Sequence, residues 1–171
     1  LYFSRVSQRE EKERVRITEV IEKALSLIQL KIRRQNIQIQ KNISEVPLVE
    51  GDFNQLVQVF LNIFQNGIEA MGETGKLVVT TRYLKQEQCV DVEILDTGRG
   101  IPSGDLHRIF NPFFTTKNKT EHTGLGLSVS YRIIKDHGGA IKAENREQRG
   151  ARFQVYLPIF LREAGGKGKK N

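Results

Sequence analysis

The chain is poor in cysteine. Cys89 stands alone among 171 residues, so no internal disulfide can form and a reducing compartment is expected. Cys89 itself reads as a half-buried strand residue. No stretch approaches the ~20 consecutive apolar residues that span a bilayer, and no secretory signal opens the chain. Its start, Leu1-Tyr2-Phe3-Ser4, reads as a cut from something longer. No internal repeat is found. No Gly-Lys-Ser/Thr of a Walker A loop occurs, and no six-residue glycine fingerprint follows a strand, which sets aside the P-loop and Rossmann phosphate sites. Acidic residues are in deficit, 20 against 27 Lys and Arg, for a net charge of +7. A basic balance can signal nucleic acid, an acidic partner or an anionic ligand. The basic tail Lys167-Gly168-Lys169-Lys170-Asn171 carries no interleaved aromatics, so it offers no stacking platform and nucleic-acid binding is not expected. What remains is ordinary for a globular protein, with 38% hydrophobic and 27% charged residues in a length that suits one domain with a real core.

The punctuation divides the chain into alternating patterns. Residues 1–12 read as a charged helix, the end of a preceding domain. Residues 13–161 form the main domain, and 162–171 a basic flexible tail. Within the main domain, 13–17 suggest a short strand. Thr18 is the expected cap of a helix that places Ile21, Ala24, Leu25, Ile28 and Ile32 at helical spacing. Ile37, Ile39 and Ile43 alternate with polar residues as a strand does. Pro47 and Gly51 mark a turn, and Asp52 caps a long helix that ends near Gly72 and Gly75. Strands over 77–84 and 89–95 make a hairpin through Lys85-Gln86-Glu87-Gln88. A short helix is expected over 103–109 and another over 125–137, stopped by Gly138-Gly139. Strands over 140–145 and 151–159 make a second hairpin turning near Gly150. Pro158 ends its strand, where a missing donor matters little. The later strands pair as hairpins rather than alternating with helices. The predicted class is therefore α+β, a two-layer sandwich with a mixed, mostly antiparallel sheet and helices on one face.

Three segments carry the chemistry. The first is the helix Gln55-Leu-Val-Gln-Val-Phe-Leu-Asn62-Ile-Phe-Gln-Asn66-Gly-Ile-Glu69-Ala70-Met71. At 100° per residue, Asn66 lies about 40° and Glu69 about −20° from Asn62, a polar stripe at the edge of an apolar face. Asn is a weak helix-interior residue, so two at i, i+4 invite a reason. The stripe is either a solvated, hydrogen-bonded face or a source of neutral amide oxygens for Mg²⁺. That ion needs few protein ligands when phosphates supply the rest. The second is Ile94-Leu95-Asp96-Thr97-Gly98-Arg99-Gly100-Ile101-Pro102, which carries one carboxylate from a strand into a glycine turn. It reads as an ordinary turn or as an acceptor for an exocyclic amine such as adenine's. The Asp-Thr-Gly triplet also occurs in aspartic proteases, but the helical content does not suit an all-β protease, and one copy would need a homodimer. The third is Thr123-Gly124-Leu125-Gly126-Leu127-Ser128, which opens a helix whose unpaired N–H groups can meet an anion. Between the last two lies Ile109-Phe110-Asn111-Pro112-Phe113-Phe114-Thr115-Thr116-Lys117. The long segment over 101–123 reads as a mobile lid beside a site.

In this order and spacing, the segments closely resemble the catalytic ATP-binding domain of two-component sensor histidine kinases. That family belongs with the gyrase, heat-shock chaperone and mismatch-repair ATPases. The resemblance covers roughly residues 15–161 and implies the Bergerat ATP-binding fold. Asn62–Ala70 is similar to the family's asparagine box and Asp96–Gly100 to its first glycine box. Phe110–Lys117 resembles its phenylalanine box, in a form similar to nitrogen-regulator-type kinases, and Gly124–Gly126 its second glycine box. Asp136-His137-Gly138-Gly139 and Gly150-Ala-Arg-Phe153-Gln-Val-Tyr-Leu157-Pro158 resemble the C-terminal signature. The resemblance implies ATP and Mg²⁺ as ligands, with Asn66 binding the metal and Asn62 lining the phosphates. Asp96 is expected to accept from the adenine amine while Ala70, Ile101 and Leu127 pack on the ring. Gly98 and Gly100 shape that wall. Gly124, Leu125 and Gly126 present N–H groups to the phosphates, and Glu69 and Thr123 complete the expected lining. Lys117 neutralises phosphate charge from the lid, and Asn62, Asn66 and Lys117 make up the expected catalytic set. Phe110, Phe113 and Phe114 anchor the lid, meet the histidine-bearing domain or simply pack in the core. Two positions depart from the pattern: His122 stands where the second glycine box usually begins with Gly, and Gly67 where Ala is common.

The related ATPases carry a water-activating Glu one turn before the Mg²⁺-binding Asn. Here that position is Asn62, which cannot act as a base. Glu69, one turn later, is expected at the pocket rim, so hydrolysis should be slow and the domain should work by positioning ATP for in-line attack. None of His107, His122 and His137 lies in a phosphoacceptor motif. The expected function is therefore transfer of the ATP γ-phosphate to a histidine on a separate dimerisation domain, for relay to a response-regulator receiver domain. The fragment would be monomeric, the whole kinase homodimeric and this part cytoplasmic, including as the cytoplasmic part of a membrane-bound sensor. The alternatives are an anti-sigma-factor-type serine kinase of the same fold and a nucleotide-binding interaction module without catalysis.

Overall fold

The computed structural model describes residues 13–115 and 124–161. Its elements run β1 (Glu13–Val15), α1 (Ile17–Leu27), α2 (Gln29–Arg34), β2 (Ile37–Asn42), β3 (Val49–Gly51), α3 (Phe53–Met71), β4 (Gly75–Leu84), β5 (Cys89–Asp96), α4 (Gly126–Asp136), β6 (Ala140–Asn145) and β7 (Ala151–Pro158). Five strands form a sheet in the order β2-β4-β5-β7-β6, and β1 pairs with β3 in a separate ribbon. β2 runs parallel to β4, and every other neighbouring pair in the sheet is antiparallel. This is the expected mixed, mostly antiparallel sheet of a two-layer α+β fold.

Alternation along the strands decides which face the helices cover. Leu77 and Val79 of β4, Val90, Val92 and Ile94 of β5, and Phe153, Val155 and Leu157 of β7 are buried at every second position. α3 lies against β4 and β5, α4 against β6, and α1 packs on α3. The opposite face is polar. Arg82 pairs with Asp91 and Glu93, both at 3.1 Å, and Arg152 with Glu93 at 2.6 Å and Glu144 at 2.8 Å. Burial drives the Asp91 carboxyl above its ordinary range, against the pull of Arg82.

The central helix α3 starts as its sequence demands. Asp52 is the N-cap, and its Oδ1 accepts from Gln55 N at 2.8 Å. Leu56, Val59, Phe60, Ile63, Phe64 and Ile68 bury the apolar flank, and Gly72, at φ +75°, ends the helix. The end of α4 is locked to this start. His137 Nδ1 lies 2.7 Å from Ile133 O, and Asp52 N donates to His137 Nε2 at 2.9 Å. A carbonyl accepts only and an amide N–H donates only, so these partners select the neutral Nδ1–H tautomer. Past His137, Gly138 sits at φ +69° and donates to Lys135 O, while Gly139 donates to Ile134 O. That double closure is a Schellman motif.

Several expectations differ from the structure. Thr18 does not cap α1: the N-cap is Arg16, with no side-chain cap, and Thr18 lies inside the first turn. The first long helix is two helices, divided at the buried Ile28, whose φ −110° and ψ 10° leave helical geometry. The segment after Pro47 is more than a turn, since β3 pairs with β1 there. Gly75 does not terminate α3 but opens β4. Residues 103–109 form consecutive turns rather than a helix. Asp105 N bonds Pro102 O, Arg108 N bonds Asp105 O and Asn111 N bonds Arg108 O, all i to i−3 closures. The expectations for residues 1–12, for Thr116, Lys117, His122 and Thr123, and for the tail 162–171 fall outside the described residues.

Candidate functional site

The three chemical segments meet at one cleft with a cavity volume of about 350 Å³, within the ~300–1,000 Å³ typical of small-molecule sites. α3 forms its floor through Asn62, Asn66, Glu69 and Ala70. The turn after β5 forms one wall through Asp96, Gly100 and Ile101, and the start of α4 forms another through Gly124, Gly126 and Leu127. Gly98 and Leu125 are not among the lining residues. Gly98 is wedged against the end of α3, where a Cβ would come within 2.7 Å of Ala70 Cβ, and Arg99 N donates to Ala70 O at 3.1 Å.

Asp96 is the most constrained polar group of the wall. It is 3% exposed. Gly98 N and Ala151 N both donate to Oδ1, at 2.8 and 3.1 Å. The carboxylate plane is thereby set, and Oδ2 is the oxygen left to accept from a ligand. Burial raises the Asp96 pKa, and the two N–H donors and Arg146 offset it only in part. Gly67 of α3 lies directly beneath. A Cβ there would sit 3.1 Å from Leu77 Cδ1 and 3.4 Å from Asp96 Cβ, so its place in the helix answers to close packing.

Across the cleft, Asn62 Nδ2 donates to Gly126 O at 3.0 Å and to Ser130 Oγ at 3.1 Å. Both amide hydrogens are thus committed to α4, and Oδ1 is the atom with acceptor chemistry to offer. The N-cap of α4 is Leu125, without a side-chain cap, so the first N–H groups of the helix lack the oxygen that Ser or Asp would provide. An anion fits that end. Gly124 has a second reason to be glycine. It lies at φ +68°, and a Cβ would come 2.7 Å from Phe113 C. The second glycine segment thus crosses the backbone of the phenylalanine segment at contact distance.

That segment roots on the core. Ile109 is buried, Phe110 packs against Tyr131 with centroids 5.5 Å apart and ring planes tilted by 38°, and Arg108 lies 4.6 Å from the Phe114 ring centre. Phe113 alone of the three phenylalanines is largely exposed, at 73%. Glu69 accepts from Lys31 Nζ of α2 at 2.6 Å. The lysine satisfies lone pairs that a base for water would need.

Sequence reasoning did not assign Gln65, Arg99, Pro102, Ile109, Thr115, Ala151 or Phe153 to the lining, nor Lys31 to Glu69. Ala151 acts through its backbone N–H, which no side-chain pattern reports. Lys31 lies 38 residues from its partner.

Among the described residues no cluster of three His, Cys, Asp or Glu could hold a metal by itself. The donor set at the cleft is instead amide oxygen beside an uncapped helix start, which fits Mg²⁺ carried in with phosphates.

Comparisons with known proteins give the family and the fold. The model of the histidine kinase-, DNA gyrase B-, and HSP90-like ATPases matches residues 51–160. Sporulation kinase C of Bacillus subtilis (strain 168) is 39% identical over 145 residues, which cover 84% of this chain and 33% of that protein. The catalytic domain of histidine kinase ThkA is similar with a TM-score of 0.77 at 40% identity, over 86% of this chain and 95% of that one. Histidine kinase ThkA in complex with response regulator protein TrrA has a TM-score of 0.73 at 34% identity, over 87% of this chain and 42% of that one. The chain spans no more than about a third of the curated relatives it matches. With an Asp-bearing glycine turn facing an Asn stripe and a glycine-led helix start, the chain belongs to the histidine kinase-, DNA gyrase B- and HSP90-like ATPase family, among the catalytic domains of histidine kinases.

Proposed function

We propose that this chain binds Mg-ATP and serves as the catalytic domain of a sensor histidine kinase, donating the γ-phosphate to a histidine on a separate phosphoacceptor domain for relay to a response regulator. The observation that carries this reading is the Asp96 carboxylate, buried in the cleft wall with Oδ1 held by two backbone N–H groups. An acceptor fixed in this way suits the exocyclic amine of adenine. Ala70, Ile101 and Leu127 supply apolar surface for the ring, and the glycine-led start of α4 supplies N–H groups for the phosphates. Asn66, with Asn62 beside it, is the residue to hold Mg²⁺. When bound, the metal neutralises charge on the phosphate oxygens.

The floor carries Asn62 in place of a base, and Glu69 is engaged by Lys31. The site therefore positions and screens ATP without activating water. A histidine nitrogen attacks the γ-phosphorus in line, its bond to the bridging oxygen breaks, and ADP leaves with that oxygen. Lys117 and Thr123 belong to this proposal as lid and phosphate contacts. The full kinase acts as a homodimer, with this domain in the cytoplasm.

The test is phosphotransfer. The chain is incubated with Mg²⁺, ATP labelled at the γ-phosphate and the phosphoacceptor domain of sporulation kinase C. Acid-labile label on that domain, absent with either component alone, is expected. Acid-stable label on serine would move the reading to the serine kinases, and ATP binding without any transfer would leave an interaction module.

A further inference from the structure

The wall that holds Asp96 is not self-supporting. Its turn, residues 96–101, makes five hydrogen bonds to the hairpin that joins β6 to β7. Asn145 Oδ1 accepts from Ile101 N at 2.7 Å, and Asn145 Nδ2 donates to Ile101 O at 2.6 Å. One side-chain amide thus grips both polar groups of one residue, as a neighbouring strand would. Arg146 Nη1 donates to Asp96 O at 2.8 Å and Arg149 Nε to Gly98 O at 3.3 Å. Ala151 N completes the set on Asp96 Oδ1 at 3.1 Å. The fit is close. At Gly150, φ +99°, a Cβ would lie 1.9 Å from Asp96 O, and at Gly100, φ +77°, one would lie 2.9 Å from Asn145 Oδ1.

We propose that this hairpin is the positioning device of the base site and that Asn145 is its principal residue, setting Ile101 and, through the turn, the Asp96 acceptor in register for an aminopurine. The proposal rests on the adenine-nucleotide reading above. Asn145 pairs with Ala151 and so shares the helix-side face of the sheet, but it lies outside the lining of the cleft, with its amide spent on Ile101. It acts on the ligand through Ile101, so it is a positioning residue and not a catalytic one. Its amide cannot be replaced by either near relative. Aspartate keeps the acceptor for Ile101 N but sets an oxygen against Ile101 O, and glutamine carries the amide one methylene too far.

The proposal predicts selectivity as well as affinity. A general lesion of the fold weakens every nucleotide alike. Misplacement of the Asp96–Ile101 wall weakens ligands that use the exocyclic amine and spares those that lack it. Binding of ATP and of inosine triphosphate, which keeps the purine and triphosphate without the amine, is measured by calorimetry on the 171-residue chain with Mg²⁺. The parent, Asn145→Ala and Asn145→Asp are compared. In both variants ATP affinity is expected to fall about fivefold, with inosine triphosphate within about twofold of the parent. Unchanged ATP affinity, or parallel loss for both nucleotides, overturns the proposal. If Asn145→Ala does not fold, Asn145→Asp, nearly isosteric with the parent, decides alone. Failure of the parent itself to bind ATP is a different result and removes the nucleotide reading on which the proposal stands.

Discussion

Asp96 carries a conflict that makes it testable at the scale of one residue. Burial raises its pKa above the ordinary 3.8. A carboxyl raised in the folded state holds its proton to higher pH than in the unfolded chain. Stability from this group is therefore full below the unfolded value and declines as pH rises through the folded one. Above that window the ionised form is a standing cost to the fold. Asp96→Asn removes the charge while its Oδ1 still accepts from Gly98 N and Ala151 N. The thermal midpoint of this variant at neutral pH is expected to equal or exceed the parent's, although adenine would then face an amide donor. In the parent, ATP affinity should weaken as pH falls through the Asp96 pKa, because the protonated carboxyl loses an acceptor. A calorimetric pH series checks this, and a midpoint several degrees below the parent's for Asp96→Asn would show that the charge supports the fold. Cys89 behaves in the same direction. Burial, with Glu87 and Asp91 nearby, raises its thiol pKa, so alkylation near pH 7 should be slower than for a free thiol. At this scale the sequence singled out Asn62, Asn66, Asp96 and Gly124, which the structure brings to one cleft, because each brings a chemistry that its helix, strand or turn does not need. Asn145 and Lys31 were not legible. Each is an ordinary polar residue until the register places it against a partner 44 or 38 positions away.

At the scale of elements, the joint between α3 and α4 ties two sides of the cleft together. Asp52 caps α3 with its side chain and is itself held by His137 at the end of α4, while Asn62 ties the middle of α3 to the start of α4. Asp52→Ala should destabilise the chain by about 1 kcal/mol, the usual loss for an N-cap. His137→Ala removes a 5%-exposed ring together with the partner of Asp52 N, and should cost about 2–4 kcal/mol. Urea unfolding of both variants measures the difference. Equal losses would mean that the His137 bridge adds nothing beyond the cap. The cap at Asp52, the glycine stop after His137 and both hairpins were readable because capping and turn chemistry is local. The break at Ile28 was not, since the apolar spacing runs through it and neither Gly nor Pro marks it. Nor was β3, whose three residues are too few for alternation and exist as a strand only by pairing with β1. The 103–109 segment is held by i to i−3 closures at Asp105, Arg108 and Asn111 with one i to i−4 bond, Ile109 N to Asp105 O, too few to propagate a helix.

For the whole molecule, one sheet face builds the core and the other carries an ion-pair ladder. The cleft forms where the helical layer meets the ends of β5 and β7. Class and sheet composition followed from hairpin spacing. The order β2-β4-β5-β7-β6 did not, because the parallel neighbour of β4 comes from before α3. A ligand bridging α3, the turn after β5 and α4 should stabilise all three together. ATP with Mg²⁺ at a hundred times its Kd is expected to add about 2.7 kcal/mol to unfolding, read as a rise in thermal midpoint that adenosine alone produces only in part.

The most direct measurement is calorimetric binding of ATP to this chain, with and without Mg²⁺, for the parent and for Asp96→Asn. The account predicts saturable one-site binding by the parent, tighter with Mg²⁺, and a loss of about 30-fold or more in the variant, where a donor faces the adenine amine. No binding by the parent at millimolar ATP, or equal binding by the variant, would contradict the assignment of this cleft as the adenine site.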